Sequence, residues 1–469
     1  MAANKSKLPK LLYILIALLL CGLAIPVVWV ILTKFEGGLP TFQLKTPVHT
    51  IGKSFTLKGQ ASDQENGLRR VWIAISQHGK ERTLFDKTFP SKSFWEGGAV
   101  QKELILLEID SDALGLSDGQ ALLRTAVWDY SWRDWLAGNR AYEEHEVLID
   151  TQSPTVDVLT RTHNLNQGGA GLAIYRISET GTVNGVQVAD SFFPGYAGFF
   201  SDPNVYIAFF AIPYDKGPGT ELYATASDPA GNTCLAGFAY HINPKRFKHD
   251  TMMISDAFLR RKIPEFEDAL NTVNPSASLI DKFLVVNREL RQTSQTTLKD
   301  ACKQSDAKLY WEGPFLRLPH SARRAGFADH RKYQYNGKSV DEQVHLGIDL
   351  ASTAQSPVPA ANNGRVVFAE YLSIYGKTVI IDHGFGLFSL YGHLSRIDVE
   401  RDKLVSKGDT IGFTGTTGLA GGDHLHYGMM VNHTCVNPIE WWDPAWIRHN
   451  VTDKLGRAKK TLECSKKSP

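Results

Sequence analysis

Hydrophobic and polar positions alternate along this chain in three regimes. The first is a run of 23 residues without a charge, Leu11 to Thr33. At ~1.5 Å per residue, a helix of that length crosses the ~30 Å hydrocarbon layer of a bilayer. The second regime is strand-like. SFTLKGQAS (54–62), LRRVWIAIS (68–76) and ALLRTAVWD (121–129) place apolar residues at alternate positions between turn signals, which predicts half-buried strands. The third is helical and short. Pro264 suits the first turn of a helix before EFEDAL, and Leu279, Ile280, Phe283, Leu284 and Leu290 fall near one helical face.

A faint repeat organises the strand-rich part. Val127-Trp128-Asp129 leads to Gly138-Asn139 and a further strand, and Thr225-Ala226-Ser227-Asp228 leads to Gly231-Asn232 and another. A strand, an Asp turn, Gly-Asn and a closing strand resemble the end of an immunoglobulin-like sandwich. The expected fold is therefore mainly β, with two tandem immunoglobulin-like β-sandwich modules at 38–152 and 153–244. A single larger β domain would carry the same echo. The helical segment, 253–310, is expected to strap these modules to a β-rich domain at 315–450, followed by a Lys-rich tail at 451–469.

Composition narrows the class. With 51 Lys+Arg against 49 Asp+Glu in 469 residues, the net charge of +2 gives no basic face for nucleic acid, so no nucleic-acid partner is expected. A hydrophobic fraction of 43% supplies packed cores and argues against disorder. Lys5, Lys7 and Lys10 precede the apolar run, so the positive-inside rule places residues 1–10 in the cytoplasm. The expectation is an uncleaved anchor at 11–33 in the inner (cytoplasmic) membrane, single-pass, with the bulk in the periplasm or outside. A cleaved signal peptide is the competing reading, but no small-x-small cleavage site follows the run. Cys234, Cys302, Cys435 and Cys464 then lie on the exported side. Four cysteines allow three pairings; Cys435–Cys464, which would tie the tail to the last domain, is preferred over free buried thiols.

Histidine carries the chemistry. Nine of the 15 His lie between His320 and His449. His345-Leu-Gly-Ile-Asp349 contains Gly and a β-branched residue and runs toward Pro357 and Pro359, which argues against a helix. In an extended segment, positions i and i+4 share a face, as do His424 and His426 with Leu425 turned into the core. Two imidazoles and a carboxylate converging from adjacent strands make a catalytic-type zinc site, with a fourth position left for water. Other patterns fail. His145-Glu146 does not continue to HExxH because residue 149 is Ile, and GFTGTTGLAGG (412–422) lacks the GK[ST] of a phosphate loop. That run instead suits tight turns beside a groove. His383 is expected at a turn near the site, and His433 and His449 at the surface.

The segment resembles the lysostaphin-like (LytM-type) zinc endopeptidases that cut peptidoglycan peptides. The likeness covers ~340–440 and is carried by VHLGIDLAS (344–352), SPVPAANNGRVVFAE (356–370), YGKTVIIDHGFGLFSLYGHLS (375–395), VSKGDTIGFTGTTG (405–418) and GGDHLHYGMM (421–430). The resemblance implies one Zn2+ per chain held by His345, Asp349 and His426, with His393 and His424 as the catalytic pair. It also implies peptidoglycan crosslinks as substrate, hydrolysed by a zinc-activated water. Gln355-Ser356 and Tyr427 depart from the commoner family residues and touch none of this chemistry. Two other functions fit the same resemblance: a non-cleaving scaffold or activator of cell-wall hydrolases, and a protease acting on proteins or peptides. Retention of all five key residues weighs against the scaffold. The β modules are expected to space the catalytic domain from the membrane or to dock an envelope protein. A fragment starting near Trp311 is expected to fold and bind zinc without them.

Overall fold

The expected strands form where alternation placed them. In the computed structural model, which describes residues 10–270 and 277–465, they run Ser54–Ser62, Leu68–Gln77 and Gly119–Asp129. The chain is mainly β, with one N-terminal apolar helix, Lys10–Lys34. Within it, Tyr13–Lys34 is long and apolar enough to cross a membrane, at a mean hydropathy of 2.9. Residues 1–9, most of the expected cytoplasmic N-terminus, lie outside the described residues, as do 466–469 of the tail.

Two compact units emerge: residues 1–153 with 227–232, and residues 154–226 with 233–469. In the first, a three-stranded sheet (Thr41–Leu44, Ser54–Ser62, Lys102–Asp110) and a five-stranded sheet built around Leu68–Gln77 and Gly119–Asp129 share one core. Leu57, Ile105 and Ile109 of the smaller sheet and Ile73, Leu123 and Val127 of the larger one are buried in it. The sequence echo has a structural cause. Asp129 accepts from the backbone N–H of Asn139 through Oδ1 (2.6 Å) and from its amide through Oδ2 (2.8 Å). Asp228 grips Asn232 through the same two atoms, at 2.9 and 2.8 Å.

In the second unit a single core runs from Leu165 to Leu462. Strands Ala170–Ile177 and Val205–Ala211 contribute to it alongside Trp311, Phe315 and Trp441. Phe209 lies 6.2 Å from Trp311 and 6.0 Å from Trp441, ring centre to ring centre. The core therefore does not stop at Trp311, which alters the expectation for a fragment cut there. The helical strap resolves into Asp256–Lys262, Glu267–Leu270, Leu279–Val285 and Arg291–Ala301, with a π turn at Val286–Leu290; residues 271–276 lie outside the described residues. Pro264 opens the short 3-10 turn Ile263–Phe266, and Phe283 is buried with Leu279, Ile280, Leu284 and Leu290 packed around it.

All five cysteines are free, so the Cys435–Cys464 pairing does not form. Cys435, opposite Met430 on the strand Thr434–Val436, packs into an apolar cluster with Cys302, whereas Cys464 is exposed on the helix Asp453–Ser465.

Glu440 makes one further link inside this unit. Its carboxylate accepts from the Asn166 amide (2.7 Å) and the Ala170 N–H (2.9 Å), and burial pushes its pKa up to about 7. The folded state thus binds a proton that the unfolded chain releases near ~4.3. Stability from this group is full at low pH, falls as pH rises toward about 7, and is flat above it. Glu440→Gln, with Asn166 turning its carbonyl to the new N–H, should remove that slope. Melting temperatures at pH 5.5 and 8 should differ less in the variant, by an amount equivalent to on the order of 2 kcal/mol. An unchanged difference would show that Glu440 stays ionised.

Candidate metal centre

Antiparallel pairing builds the centre. The strand Lys338–His345 pairs with Asp329–Tyr335 and ends at His345. After Leu346-Gly347 the chain enters a different sheet as Ile348–Ala351, whose Asp349 lies opposite His426 on Leu425–Val431. The next strand, Leu387–Leu394, places Gly392 opposite His426 and carries His393 beside it. His345 and Asp349 therefore do not share the face of one continuous strand, as their spacing suggested. They meet because the chain changes sheets between them. Gly347 makes this crossing feasible: a Cβ there would strike the His426 ring. His424 and His426 flank the buried Leu425 as the alternation required.

Three atoms able to ligate a metal converge here. His345 Nε2 lies 2.9 Å from Asp349 Oδ1 and 3.0 Å from His426 Nδ1, and Asp349 Oδ1 lies 3.0 Å from His426 Nδ1. All three residues are buried. His345 Nδ1 faces the Gly326 carbonyl at 2.8 Å, so the ring proton resides there and Nε2 presents a lone pair. A carboxylate oxygen and an imidazole lone pair aimed at one point repel unless a cation or proton lies between them. Tetrahedral zinc, with bonds of ~2.0–2.2 Å to N and O, spaces its ligands by a little over ~3 Å, so this donor set fits the ion. Elsewhere, Glu36, Asp63 and Asp129 also lie close together, but protein donors already face them. The N–H groups of Asn66 and Gly67 reach Asp63, those of Ser131 and Asn139 reach Asp129, and both Asn amides reach Glu36.

The electrostatics follow from burial and the neighbours. Burial alone would raise the Asp349 carboxyl, but His345, His424 and His426 outweigh it and hold it well below the usual range. Burial pushes His426 down to about 4. It also lowers His393, with His424 and His426 adding to the effect.

His393 and His424 stand side by side, their ring centres 4.8 Å apart. His393 Nδ1 donates to the Thr417 carbonyl and His424 Nδ1 to the Gly422 carbonyl, each at 2.8 Å. Each neutral ring therefore keeps a lone pair on Nε2. His393 has φ of 62°, a left-handed conformation that costs a non-glycine residue ~1–3 kcal/mol and persists only where its surroundings enforce it. The glycine-rich run supplies the two carbonyls, which gives GFTGTTGLAGG its use. Gly418, at φ 68° and tight against Gly376, shapes the loop just after Thr417.

Arg331 escaped the sequence reading. Its Nη2 donates to Asp349 Oδ2 at 2.9 Å, fixing the carboxylate from the side away from the imidazoles. Its only sequence signal was a basic residue in a hairpin upstream of VHLGID. Tyr375, with its ring 5.3 Å from that of His426, also went unassigned. His383 is not a turn residue. It sits fully buried on the strand Gly376–Gly384, bonded to the Asn363 carbonyl and Ser389 Oγ at 2.7 Å each. His433 and His449 are exposed. Above the centre opens a cleft of about 290 Å³ whose walls include Ile254, Phe258, Phe283, Arg291, Tyr333 and Leu419.

Comparison with known proteins places this geometry. Residues 343–438 match the family model described as Peptidase family M23. Over 97 residues the chain is 39% identical to the DD-carboxypeptidase/endopeptidase Mpg of Neisseria meningitidis serogroup B, covering 21% of this chain and 22% of that protein. It is 38% identical over 96 residues to the peptidoglycan DD-endopeptidase ShyA of Vibrio cholerae, covering 20% of this chain and 22% of that protein. The catalytic domain of lysostaphin from Staphylococcus simulans, a solved structure, is 27% identical, with 27% of this chain and 96% of that chain covered at a TM-score of 0.24. The chain thus spans only about a fifth of the length of the curated relatives it matches. The family match includes His345, Asp349, His393, His424 and His426 and leaves out Arg331 and the whole helical strap.

Proposed function

From a chain that carries a peptidase family M23 domain at its C-terminus, we propose a membrane-anchored, exported zinc endopeptidase that hydrolyses peptide crosslinks of peptidoglycan. The observation that carries this reading is the triangle of His345 Nε2, Asp349 Oδ1 and His426 Nδ1, three possible ligand atoms 2.9–3.0 Å apart on buried side chains. These residues would hold one zinc per chain. When bound, zinc supplies the Lewis acid that polarises the scissile carbonyl and acidifies the attacking water. Arg331 holds Asp349 in place, and the Gly326 carbonyl fixes the His345 tautomer. His393 and His424 are the catalytic pair. One, neutral, accepts the water proton at Nε2, and the other, protonated on both nitrogens, gives its Nε2 proton to the developing oxyanion or the leaving amine. Burial keeps His393 neutral at physiological pH, which suits the base.

The remaining parts extend this reading. The helix Tyr13–Lys34 would span the inner membrane once, with residues 1–10 in the cytoplasm and the rest in the periplasm or outside. Residues 38–152 and 153–244 would act as immunoglobulin-like modules that set the reach of the 315–450 peptidase domain or dock an envelope protein.

Digestion of purified sacculi, followed by mass-spectrometric mapping of the products, tests the proposal. Crosslinked dimers should fall to monomers, chelation should stop the reaction, and added zinc should restore it. A zinc-loaded protein that leaves sacculi intact but cleaves a protein substrate would make it a general protease. One that cleaves neither would make it a scaffold.

A further inference from the structure

The strap places an unpaired guanidinium at the mouth of the metal cleft, and we propose that Arg291 is a specificity-determining residue that takes a carboxylate of an acidic peptide substrate. The proposal deepens the hydrolase reading above and rests on it.

The charges lining the cleft are unequal. Arg291 and Arg331 both line it, while Asp349 is the one carboxylate of its walls among the described residues. Arg331 is already paired with Asp349 at 2.9 Å. Arg291 forms no ion pair among the described residues. Its Nε donates to the Asn287 carbonyl (3.1 Å) and one Nη to Asn287 Oδ1 (2.7 Å), both neutral acceptors. Asn287 is itself fully buried, and its amide donates to Asp341 Oδ2 at 2.7 Å. That bond turns Oδ1 toward Arg291. The guanidinium is therefore oriented without being neutralised.

Position points the same way. Arg291 directly follows the π turn Val286–Leu290, an irregularity that tends to occur where a helix serves a site. The helix it opens, Arg291–Ala301, packs against the turn Ser373–Tyr375, and the Tyr375 ring lies 5.3 Å from the His426 ring in the same cleft. A planar fork with free N–H donors matches a carboxylate in two parallel bonds, which a neutral peptide group cannot supply. Stem peptides of peptidoglycan carry such free carboxylates along their length, whereas an oligoglycine bridge does not. The apolar walls, Ile254, Phe258, Phe283 and Leu419, suit the aliphatic part of such a peptide. Arg291 lies on the strap, outside the 343–438 family match.

The test uses the full zinc-loaded chain in detergent, with an uncrosslinked stem tetrapeptide and its carboxamide form as binding probes. Calorimetry should show the wild type binding the acid about tenfold to a hundredfold more tightly than the amide, the range of a charge-assisted pair. Arg291→Gln should erase that preference, Arg291→Lys should keep part of it, and zinc content should stay at one in both. On a crosslinked dimer, Arg291→Gln should raise KM by a similar factor with kcat little changed. Equal wild-type affinity for acid and amide would overturn the proposal even if sacculi were digested. So would an Arg291→Gln chain, zinc-loaded and melting as wild type, that still preferred the acid. Failure of the hydrolase reading shows separately, as zinc-loaded wild type that leaves sacculi uncut.

Discussion

Replacing His345, Asp349 or His426 by alanine should give protein with neither zinc nor hydrolytic activity. His393→Ala and His424→Ala should instead keep about one zinc per chain and lose activity by ~10²–10⁴-fold, the usual cost of an acid–base or oxyanion-stabilising group. The two classes follow from geometry. His345 Nε2, Asp349 Oδ1 and His426 Nδ1 form the triangle, so removing one leaves at most two protein ligands. His393 and His424 are anchored independently, through Nδ1 to the carbonyls of Thr417 and Gly422. Their loss leaves the triangle standing. Metal analysis and sacculus digestion on the same preparations decide the matter. If His393→Ala emptied the site, or His345→Ala kept both zinc and activity, these roles would be reversed. If all five variants digested sacculi at the wild-type rate, the hydrolase would lie elsewhere.

How much of this site the sequence disclosed depends on the distance over which each residue acts. His424 and His426 were legible because strand alternation is local: Leu425 goes inward and its neighbours outward. Asp349 was found for a reason that the fold alters, since its pairing with His426 across two strands, not its spacing from His345, brings it in. Arg331 and Arg291 were not legible as site residues. Each reaches the cleft from outside the motif region, through a hairpin and a π turn that no short pattern encodes. The π turn is a local irregularity whose register cannot be read from a 3.6-residue period. The shared core had a signal that went unused. AGLAIYRI and VYIAFFA read as near-continuous apolar runs, and seven of eight and six of seven of their residues are buried. Such strands are covered on both faces, unlike the half-exposed alternation of a free-standing sandwich.

That shared core makes the second large effect. A fragment beginning at Trp311 should be insoluble, whereas one beginning at Pro154 should be soluble, fold cooperatively and bind one zinc. Cutting at Trp311 removes Phe209 from Trp311 and Trp441, Tyr196 from Phe385 (5.6 Å) and Phe247 from Phe327 (6.4 Å). It also strips Leu298 and Cys302 from the cluster holding Ile380 and Phe388, the strands next to the metal centre. Losing one large buried side chain costs ~3–5 kcal/mol, and a whole domain is held by only ~5–15 kcal/mol. Three or more such losses, ~9–15 kcal/mol together, are as large as the whole of that stability. Glu440 would face water without Asn166 and Ala170, while Trp441 would join an exposed apolar face that favours aggregation. Expression of both fragments, with soluble yield, near-UV circular dichroism and zinc content as readouts, separates the cases. A soluble Trp311 fragment with native aromatic signal and one bound zinc would mean that the peptidase domain carries its own core, and that the packing against 154–242 is dispensable.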